Sequence, residues 1–223
     1  MQLCEIFDSI QGEGTLCGMP STFIRTGRCN LRCEYCDSQY TWDKNEFQER
    51  STDEILTEAL RFSADYFVIT GGEPLLQKDL GHLLSELKQR NKHITIETNC
   101  TKFLPELCSF VDLWSVAPKL QSSGETYNES VLDAFNQLQT PVQFKFVVIT
   151  SEDWEQLLSL LNQKINAATH PVIVQPDGLL SFEDYYMAWK DLVEKVLSEP
   201  LRQYNIRVLP QLHRLLYGHK RGI

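Results

Sequence analysis

Apolar positions along this chain follow two patterns, short apolar runs and longer stretches with apolar residues at helical spacing. The short runs predict strands at residues 23–26, 66–70, 93–98, 113–116, 142–149, 171–174 and 206–209. The longer stretches predict helices at residues 75–90, 128–138, 151–165 and 181–197, and a capping box at 51–54 opens another helix. Strands that alternate with helices indicate right-handed βαβ units and a parallel sheet.

The number of strands limits the architecture. About six main parallel strands are too few for a complete eight-stranded barrel, so we predict an α/β fold with a partial (β/α) barrel, open along one side. No linker or internal repeat divides the 223 residues, so residues 1–223 are expected to form a single domain. In parallel folds of this kind, functional residues lie at the carboxyl ends of the strands.

Composition narrows the classes of partner. The formal net charge of -9 disfavours nucleic acid, because binding a phosphate backbone requires clustered lysine and arginine. The N-terminus has no signal-peptide pattern, and no apolar run has the length of a membrane span, so we expect a cytoplasmic protein without membrane contact. Seven cysteines, an odd number, disfavour a disulfide framework and favour metal binding.

Three of the cysteines, Cys29, Cys33 and Cys36, lie within eight residues at the spacing C-x3-C-x2-C. Soft thiolates so close together predict a metal centre. Two centres are consistent with the residues alone: a zinc site whose fourth ligand comes from elsewhere, or a four-iron cluster with one iron open to a ligand that is not protein. The dispersed cysteines are expected to be small buried hydrophobic residues; they are Cys4, Cys17, Cys100 and Cys108.

Two further motifs lie at the ends of predicted strands. Gly71-Gly72-Glu73-Pro74 follows the strand at 66–70, and Ser115-Val116-Ala117-Pro118-Lys119 ends the strand at 113–116. Together with the cysteine spacing, they resemble the motifs of the radical S-adenosylmethionine (SAM) enzymes. The resemblance implies a [4Fe–4S] cluster on the three cysteines, SAM on its open iron, and a reductant such as flavodoxin or ferredoxin. The SAM contacts that it implies come from Gly71, Gly72, Glu73, Ser115, Lys119 and Gln175.

A narrower resemblance lies in the N-terminal segment Gln11-Gly12-Glu13-Gly14. It is similar to the Q-G-E-G signature of the 7-carboxy-7-deazaguanine synthase family, and the similarity extends to Gln211-Leu212-His213. Members of that family are lyases that convert 6-carboxy-5,6,7,8-tetrahydropterin to 7-carboxy-7-deazaguanine, losing ammonia, in queuosine and deazapurine biosynthesis. The resemblance implies a homodimer, no catalytic side chain, and a pterin bound by Gln11, Glu13, Arg25, Glu97 and His213.

The residue types suit a pterin carrying a carboxylate. The Gln11 amide both donates and accepts hydrogen bonds, and the Glu13 carboxylate accepts them, which matches the edge of an aminopyrimidine ring. Arg25 can hold a carboxylate through two parallel hydrogen bonds. These three residues are therefore expected to face the substrate.

The resemblance also implies Mg2+, a hard ion that prefers oxygen ligands. Asp37 and Ser38 follow the last cysteine of the cluster motif directly. We expect the Ser38 hydroxyl to bind the ion, with Thr41 as the alternative ligand. The last residues, 220–223, are expected to fold back over the substrate pocket.

Two other functions remain open at this point. A glycyl-radical-enzyme activating protein also uses C-x3-C-x2-C on a small domain, but it needs a protein partner and has no need of a pterin site. A zinc-stabilised binding module is the alternative from another class, and it predicts one colourless metal ion per chain and no iron.

Overall fold

The computed structural model describes residues 1–198, 201 and 204–223. In this part of the chain, nine strands form one sheet: β1 (Gln2–Ile10), β2 (Pro20–Thr26), β3 (Gln48–Glu49), β4 (Tyr66–Gly71), β5 (His93–Thr98), β6 (Leu113–Val116), β7 (Val142–Val147), β8 (Val172–Gln175) and β9 (Ile206–Val208). The α-helices are α1 (Thr52–Ala59), α2 (Leu80–Gln89), α3 (Glu129–Asn136), α4 (Ser151–Gln163), α5 (Phe182–Ser198) and α6 (Leu212–Tyr217).

The sheet order is β3-β1-β2-β4-β5-β6-β7-β8-β9. Strands β2 and β4 to β9 run parallel to one another, and helices lie between most of them along the chain. Within the described residues β3 and β9 end the sheet and do not pair with each other. The prediction of an open, partial (β/α) barrel is therefore confirmed.

The N-terminal strand β1 was not predicted. It pairs antiparallel with β2, and the short β3 pairs antiparallel with β1. Two acids interrupt its apolar pattern, and both have partners on β2: Glu5 forms an ion pair with Arg25, and Asp8 accepts a hydrogen bond from Thr22 at 3.2 Å. Because these polar side chains are paired across the two strands, β1 is a strand although its sequence lacks a continuous apolar pattern.

Local capping determines where the helices begin. The capping box predicted at 51–54 is present, since Ser51 accepts from the Glu54 amide and Glu54 accepts from the Ser51 amide. The helix predicted from residue 75 begins later, at Leu80, because Pro74–Leu76 forms a 3-10 turn first. Proline at the first position of that turn donates no hydrogen bond and is compatible with a turn start.

One large apolar cluster lies against the sheet and includes the fully buried Ile24, Ile69, Ile96, Trp114 and Phe144. Strands buried on both faces read as continuous apolar runs, and this is why most of the parallel strands are visible in the sequence. No helix in the described part of the chain combines the length and the apolar character needed to span a membrane.

The four dispersed cysteines do not share one environment. Cys100 is fully buried, as predicted, and Cys4 and Cys108 are half-buried. Cys17 is exposed, so the prediction of burial is wrong at this position. Cys17 lies in the turn between β1 and β2, where the chain crosses the surface.

Candidate active site

A cavity of about 270 Å³ opens at the carboxyl ends of the parallel strands. It is lined by residues from the β1–β2 turn, the loop after β2, most of the parallel strand ends and the C-terminal segment. Of the residues predicted to form the site, the cavity lining includes Gln11, Glu13, Arg25, Cys29, Cys33, Cys36, Ser38, Gly71, Gly72, Glu97, Ser115, Lys119, Gln175 and His213. One cavity therefore brings together all of the predicted site residues except Glu73.

The three predicted cluster ligands lie on the cysteine loop (residues 27–38), which follows β2. Cys29, Cys33 and Cys36 all line the cavity. Burial raises the pKa of each thiol, that of Cys36 to about 12. A soft cationic centre would remove these protons on binding, so its affinity for the loop would increase with pH. Three soft donors facing one cavity fit an iron–sulfur cluster.

A zinc ion and a four-iron cluster use their ligands differently. All the ligands of a zinc ion bond to the same atom. In a four-iron cluster each cysteine bonds to a different iron. Three thiols on the cavity wall would leave one iron of such a cluster without a protein ligand, as the resemblance to the radical SAM enzymes implies.

The two glycines after β4 let the strand end approach the cysteine loop. Gly71 has a φ of 127°, in the region that favours glycine, and a Cβ there would overlap the Thr26 backbone. A Cβ on Gly72 would overlap the carbonyl of Arg28, next to Cys29. Gly72 N donates to the Thr26 carbonyl at 3.0 Å. The backbone of Gly71 and Gly72 is thus exposed to the cavity beside a cluster ligand.

Glu73 is the one predicted cofactor ligand that does not line the cavity. Its buried carboxylate accepts hydrogen bonds from Leu75 N at 3.0 Å, Thr98 Oγ1 at 2.9 Å and Asn99 N at 2.7 Å. Burial raises the pKa of Glu73. In this geometry the side chain joins the end of β4 to the end of β5 and is not directed at the predicted SAM site.

The three other predicted SAM contacts, Ser115, Lys119 and Gln175, each have a different neighbour in the cavity wall. The Ser115 hydroxyl is buried and accepts from Gln143 Nε2 at 2.9 Å. Lys119 Nζ lies 6.0 Å from the centre of the Tyr35 ring, within the cysteine loop. The Gln175 side chain donates to Glu13 at 3.2 Å. Gln175 therefore also belongs to the part of the cavity that Gln11 and Glu13 line, which we call the substrate end.

At the substrate end, Glu13 is surrounded by donors. It forms a buried ion pair with Lys145 on β7, and its other oxygen accepts from Gln175 and from Gln211 Nε2 at 2.9 Å. Burial alone would raise the pKa of Glu13, but Lys145, His213 and the hydrogen bonds lower it to about 2. Glu13 is therefore a carboxylate over the whole physiological pH range.

Gln11 and Glu97 are joined to each other. Gln11 Nε2 donates to Glu97 at 3.1 Å, and Gln11 Oε1 accepts from the Glu13 amide at 3.1 Å. The second Glu97 oxygen accepts from Thr70 Oγ1 at 2.8 Å. These bonds fix the Q-G-E-G segment to the ends of β4 and β5, so Gln11, Glu13 and Glu97 form one connected network.

Arg25 lies between the two halves of the cavity. Its Nε donates to Glu5 at 2.8 Å, its Nη1 lies 3.4 Å from Ser38 Oγ, and its guanidinium stacks 5.4 Å from the Phe7 ring centre. The Glu5 bond occupies one edge of the guanidinium, and the remaining donors face Ser38 and the cavity.

The two candidate Mg2+ ligands differ in access. Ser38 lines the cavity, and its hydroxyl donates to Asp37 at 2.9 Å. Thr41 is fully buried and donates to the Ser38 carbonyl at 2.8 Å. Ser38 and Asp37 therefore line the cavity. Thr41 does not line it, and its hydroxyl holds the Ser38 backbone through the hydrogen bond.

The C-terminal segment covers the cavity. Leu212 N donates to the Gly12 carbonyl at 2.8 Å, which fixes α6 and His213 against the Q-G-E-G segment. Residues 217–223 line the cavity, and the Arg221 guanidinium lies 3.5 Å from the centre of the Tyr40 ring. The predicted return of the tail over the pocket is present.

Sequence reasoning assigned no role to two residues of the Glu13 network, Lys145 and Gln211, although it places Lys145 on a strand that reaches the same mouth of the fold. Lys145 is the one charged residue in an otherwise mostly apolar strand, and that position was the signal available for it. Gln211 lies two residues before His213 and was read only as part of the motif.

Comparisons with known proteins agree with this geometry. Residues 23–177 match the family model of the radical SAM superfamily. The 7-carboxy-7-deazaguanine synthase of Halobacterium salinarum is 35% identical, over 96% of this chain and 89% of that protein. The enzyme of the same name from Bacillus subtilis is 32% identical, over 98% of this chain and 97% of that protein.

A solved structure supports the fold alone. The crystal structure of QueE from Escherichia coli superimposes with a TM-score of 0.73 at 24% sequence identity, covering 93% of this chain and 92% of that one. The matches span the cysteine loop, the strand ends and the substrate end of the cavity. The chain therefore belongs to the radical SAM superfamily and, within it, to the family of the 7-carboxy-7-deazaguanine synthases.

Proposed function

We propose that this chain is a radical SAM carbon–nitrogen lyase that converts 6-carboxy-5,6,7,8-tetrahydropterin to 7-carboxy-7-deazaguanine with loss of ammonia, in queuosine and deazapurine biosynthesis. The observation that carries the proposal is the shared cavity: three cysteines line one part of it, and Gln11 and Glu13 line another. A chain that only bound zinc would not require the second part.

The cluster and SAM end is assigned to the cysteine loop and the neighbouring strand ends. Cys29, Cys33 and Cys36 would hold a [4Fe–4S] cluster, and the Gly71–Gly72 backbone would receive the SAM ammonium. Ser115 and Lys119 would bind the SAM carboxylate or ribose. When bound, and given one electron by a reductant, these groups would supply the radical chemistry that removes a hydrogen atom from C6 of the pterin and later returns one.

The chain's own residues bind and orient the pterin. Glu13 is held as a carboxylate by Lys145 and offers an acceptor to the ring N–H groups. Arg25 keeps its free guanidinium edge directed at the cavity, where it can pair with the pterin carboxylate. Glu97 and His213 line the remaining sides of the substrate end.

Mg2+ would join the substrate carboxylate to the protein at Ser38. The ion takes few protein ligands and keeps several waters, so a hydroxyl beside Asp37 is sufficient when the substrate supplies further oxygens. The position of Ser38 on the cavity wall supports this ligand over the buried Thr41.

Several properties of the whole protein belong to the same proposal. Residues 1–223 form a single domain, since strands β1 to β9 share one sheet and one large apolar cluster lies against it. The electron comes from a soluble reductant such as flavodoxin or ferredoxin, and the enzyme acts in the cytoplasm, where thiols stay reduced.

The homodimer is assigned to the exposed face of α5. Phe182, Tyr186 and Leu197 are 68%, 54% and 76% exposed, and they recur at helical spacing on the side away from the buried Tyr185. The first turn of α5 is acidic and its last turn carries a lysine, so two antiparallel copies would be complementary in charge. The double change Phe182→Asp and Tyr186→Asp should give a monomer in sedimentation equilibrium. A dimer that persists, or a monomeric parent protein, would refute this interface.

The proposed reaction is tested by anaerobic turnover. The chain is reconstituted with iron and sulfide and supplied with SAM, dithionite, Mg2+ and 6-carboxy-5,6,7,8-tetrahydropterin. We expect 7-carboxy-7-deazaguanine and ammonia in equal amounts. Iron-loaded protein that cleaves SAM but leaves the pterin unchanged would instead favour the glycyl-radical-enzyme activating protein, and protein that takes up one zinc ion and no iron would favour the binding module.

A further inference from the structure

Three donors surround the Glu13 carboxylate in the substrate end of the cavity. Lys145 Nζ bonds to one oxygen, and Gln175 Nε2 and Gln211 Nε2 bond to the other at 3.2 and 2.9 Å. An ionised carboxylate has about four lone-pair positions for hydrogen bonds. The three donors therefore leave about one position of Glu13 free for a ligand.

The ion pair is buried on both sides. The Lys145 and Glu13 side chains are only 12% and 10% exposed. Burying a charged group without a partner is costly, and breaking a buried pair by removing one partner costs far more than replacing both. The charge of Glu13 thus depends on Lys145.

We infer that Lys145 is a positioning residue of the substrate site: it keeps Glu13 charged and fixed, with its free acceptor position toward the ring N–H groups of the ligand. The inference rests on the proposed function where it is tested by pterin binding. A second test, by thermal stability, does not depend on the substrate. Lys145 acts through Glu13 and is not assigned to the chemical step.

The surroundings of the pair are consistent with this role. Burial alone would lower the pKa of Lys145, but Glu13 and Glu97 raise it, so the ammonium stays charged and is a poor proton donor. The titratable groups around the pair are Glu97 on β5, Asp37 on the cysteine loop, Cys17 in the β1–β2 turn, Tyr185 on α5 and His213 on α6. The cation that bonds directly to Glu13 is Lys145.

The expected pH dependence follows from the sign of the Glu13 shift. In the parent protein the pKa of Glu13 is about 2, so its charge is complete throughout the range in which binding can be measured. Without Lys145, burial dominates and raises the pKa of Glu13 above its ordinary value. A raised carboxyl pKa means that the acceptor is lost as pH falls and is recovered as pH rises.

The first experiment measures pterin affinity of the SAM-loaded holoenzyme from pH 6 to 9, without reductant, for Lys145→Met, Lys145→Arg and Glu13→Gln. Lys145→Met should bind about ten- to a hundred-fold more weakly at pH 6, as expected for the loss of a charge-assisted hydrogen bond, and should recover toward pH 9. Lys145→Arg should restore most of the affinity, and Glu13→Gln should be weak at every pH. A pH dependence that persists in Glu13→Gln would come from another group, such as His213, and would overturn the inference.

The matched control is Lys88→Met, which breaks the Lys88–Asp112 ion pair at 2.8 Å between α2 and the residue before β6, outside the cavity lining. It should bind pterin as the parent does. A loss in Lys145→Met that is the same at every pH would indicate general damage to the cavity and would also overturn the inference. A parent protein that does not bind pterin contradicts the proposed function instead.

The second experiment does not depend on the substrate. The thermal midpoint of the holoenzyme is compared for Lys145→Met, Glu13→Gln and the double variant at pH 7. If Lys145 neutralises a buried charge, the double variant should melt at a higher temperature than Lys145→Met alone, because it leaves no unpaired carboxylate. Additive losses in the double variant would show that the two side chains are not coupled.

Discussion

At the scale of single residues, the clearest assignment is that of the cluster ligands. Within the described residues, Cys29, Cys33 and Cys36 are the cysteines that line the cavity, whereas Cys17 lies at the surface outside it. In the proposed cluster each thiol would ligate a separate iron, so none of the three could substitute for another. The position of a cysteine therefore decides whether it can bind the cluster, and a cysteine outside the cavity is not expected to do so.

Single cysteine variants test this assignment. Cys29→Ala, Cys33→Ala and Cys36→Ala should each reduce iron to well below the parent content after anaerobic reconstitution, because two thiolates do not retain a four-iron cluster. Iron analysis and visible absorbance provide the measurement. Cys17→Ala is the matched control and should keep the parent iron content. A loop variant with full iron content and SAM cleavage would remove that cysteine from the ligand set.

A second prediction at this scale concerns the metal requirement. Ser38→Ala should raise the Mg2+ concentration needed for half-maximal turnover, because it removes the hydroxyl that faces the cavity. Thr41→Val keeps the volume of a fully buried side chain and should leave that concentration nearly unchanged. The reverse ranking would identify Thr41 as the ligand. Full turnover in EDTA without added metal would exclude the Mg2+ role.

The sequence predicts ligand types better than it predicts their neighbours. The cysteines and the pterin residues carry side chains whose chemistry is visible in a motif. The sequence places Lys145 on a strand that reaches the mouth but gives it no partner, because only the fold brings it to Glu13. At Glu73 the motif predicts a SAM contact, whereas the structure shows three protein donors bonded to the carboxylate, a set of neighbours that the motif does not reveal.

At the scale of elements, Glu73 connects the two strand ends on which the cavity is built. It accepts from Leu75 N after β4 and from Thr98 and Asn99 at the end of β5. Glu73→Gln should lower the free energy of unfolding by about 1–3 kcal/mol, because an amide NH2 then faces a buried donor. Urea unfolding under anaerobic conditions measures the change.

The control for that measurement is Glu129→Gln at the start of α3, where the side chain is 71% exposed. Its effect on the free energy of unfolding should stay within about 0.5 kcal/mol. If Glu73→Gln is equally harmless but weakens SAM binding, the carboxylate contacts SAM as the motif suggested, and the structural role is wrong.

Element boundaries show which physical signals a sequence carries. The buried parallel strands β4 to β8 are continuous apolar runs and were predicted within a few residues. Strand β1 was missed because Glu5 and Asp8 break its apolar pattern, and their partners lie on β2. Pairing across strands depends on tertiary structure, which hydrophobic periodicity along one segment does not report.

At the scale of the whole molecule, the partial barrel places two kinds of chemistry at one edge of the sheet. The cysteine loop follows β2, the SAM residues follow β4 and β6, and the pterin network joins the β1–β2 turn to β5, β7 and β8. Strands β2 and β4 to β9 run in the same direction, so their carboxyl ends lie at the same edge of the sheet, where the cavity opens. The fold thus brings the proposed cluster ligands and the proposed substrate residues to one cavity.

We expect this cavity to bring the C6 hydrogen of the pterin next to the 5′-carbon of SAM. The pterin equals 7-carboxy-7-deazaguanine plus ammonia in atoms and electrons, so a hydrogen atom taken from C6 must be replaced later in the same turnover, and SAM is re-formed. The test is anaerobic turnover with the pterin deuterated at C6, followed by mass spectrometry of the recovered SAM. We expect SAM to acquire deuterium from the substrate while 7-carboxy-7-deazaguanine accumulates. Recovered SAM that stays unlabelled while product forms would show that the hydrogen does not pass from C6 to the 5′-carbon.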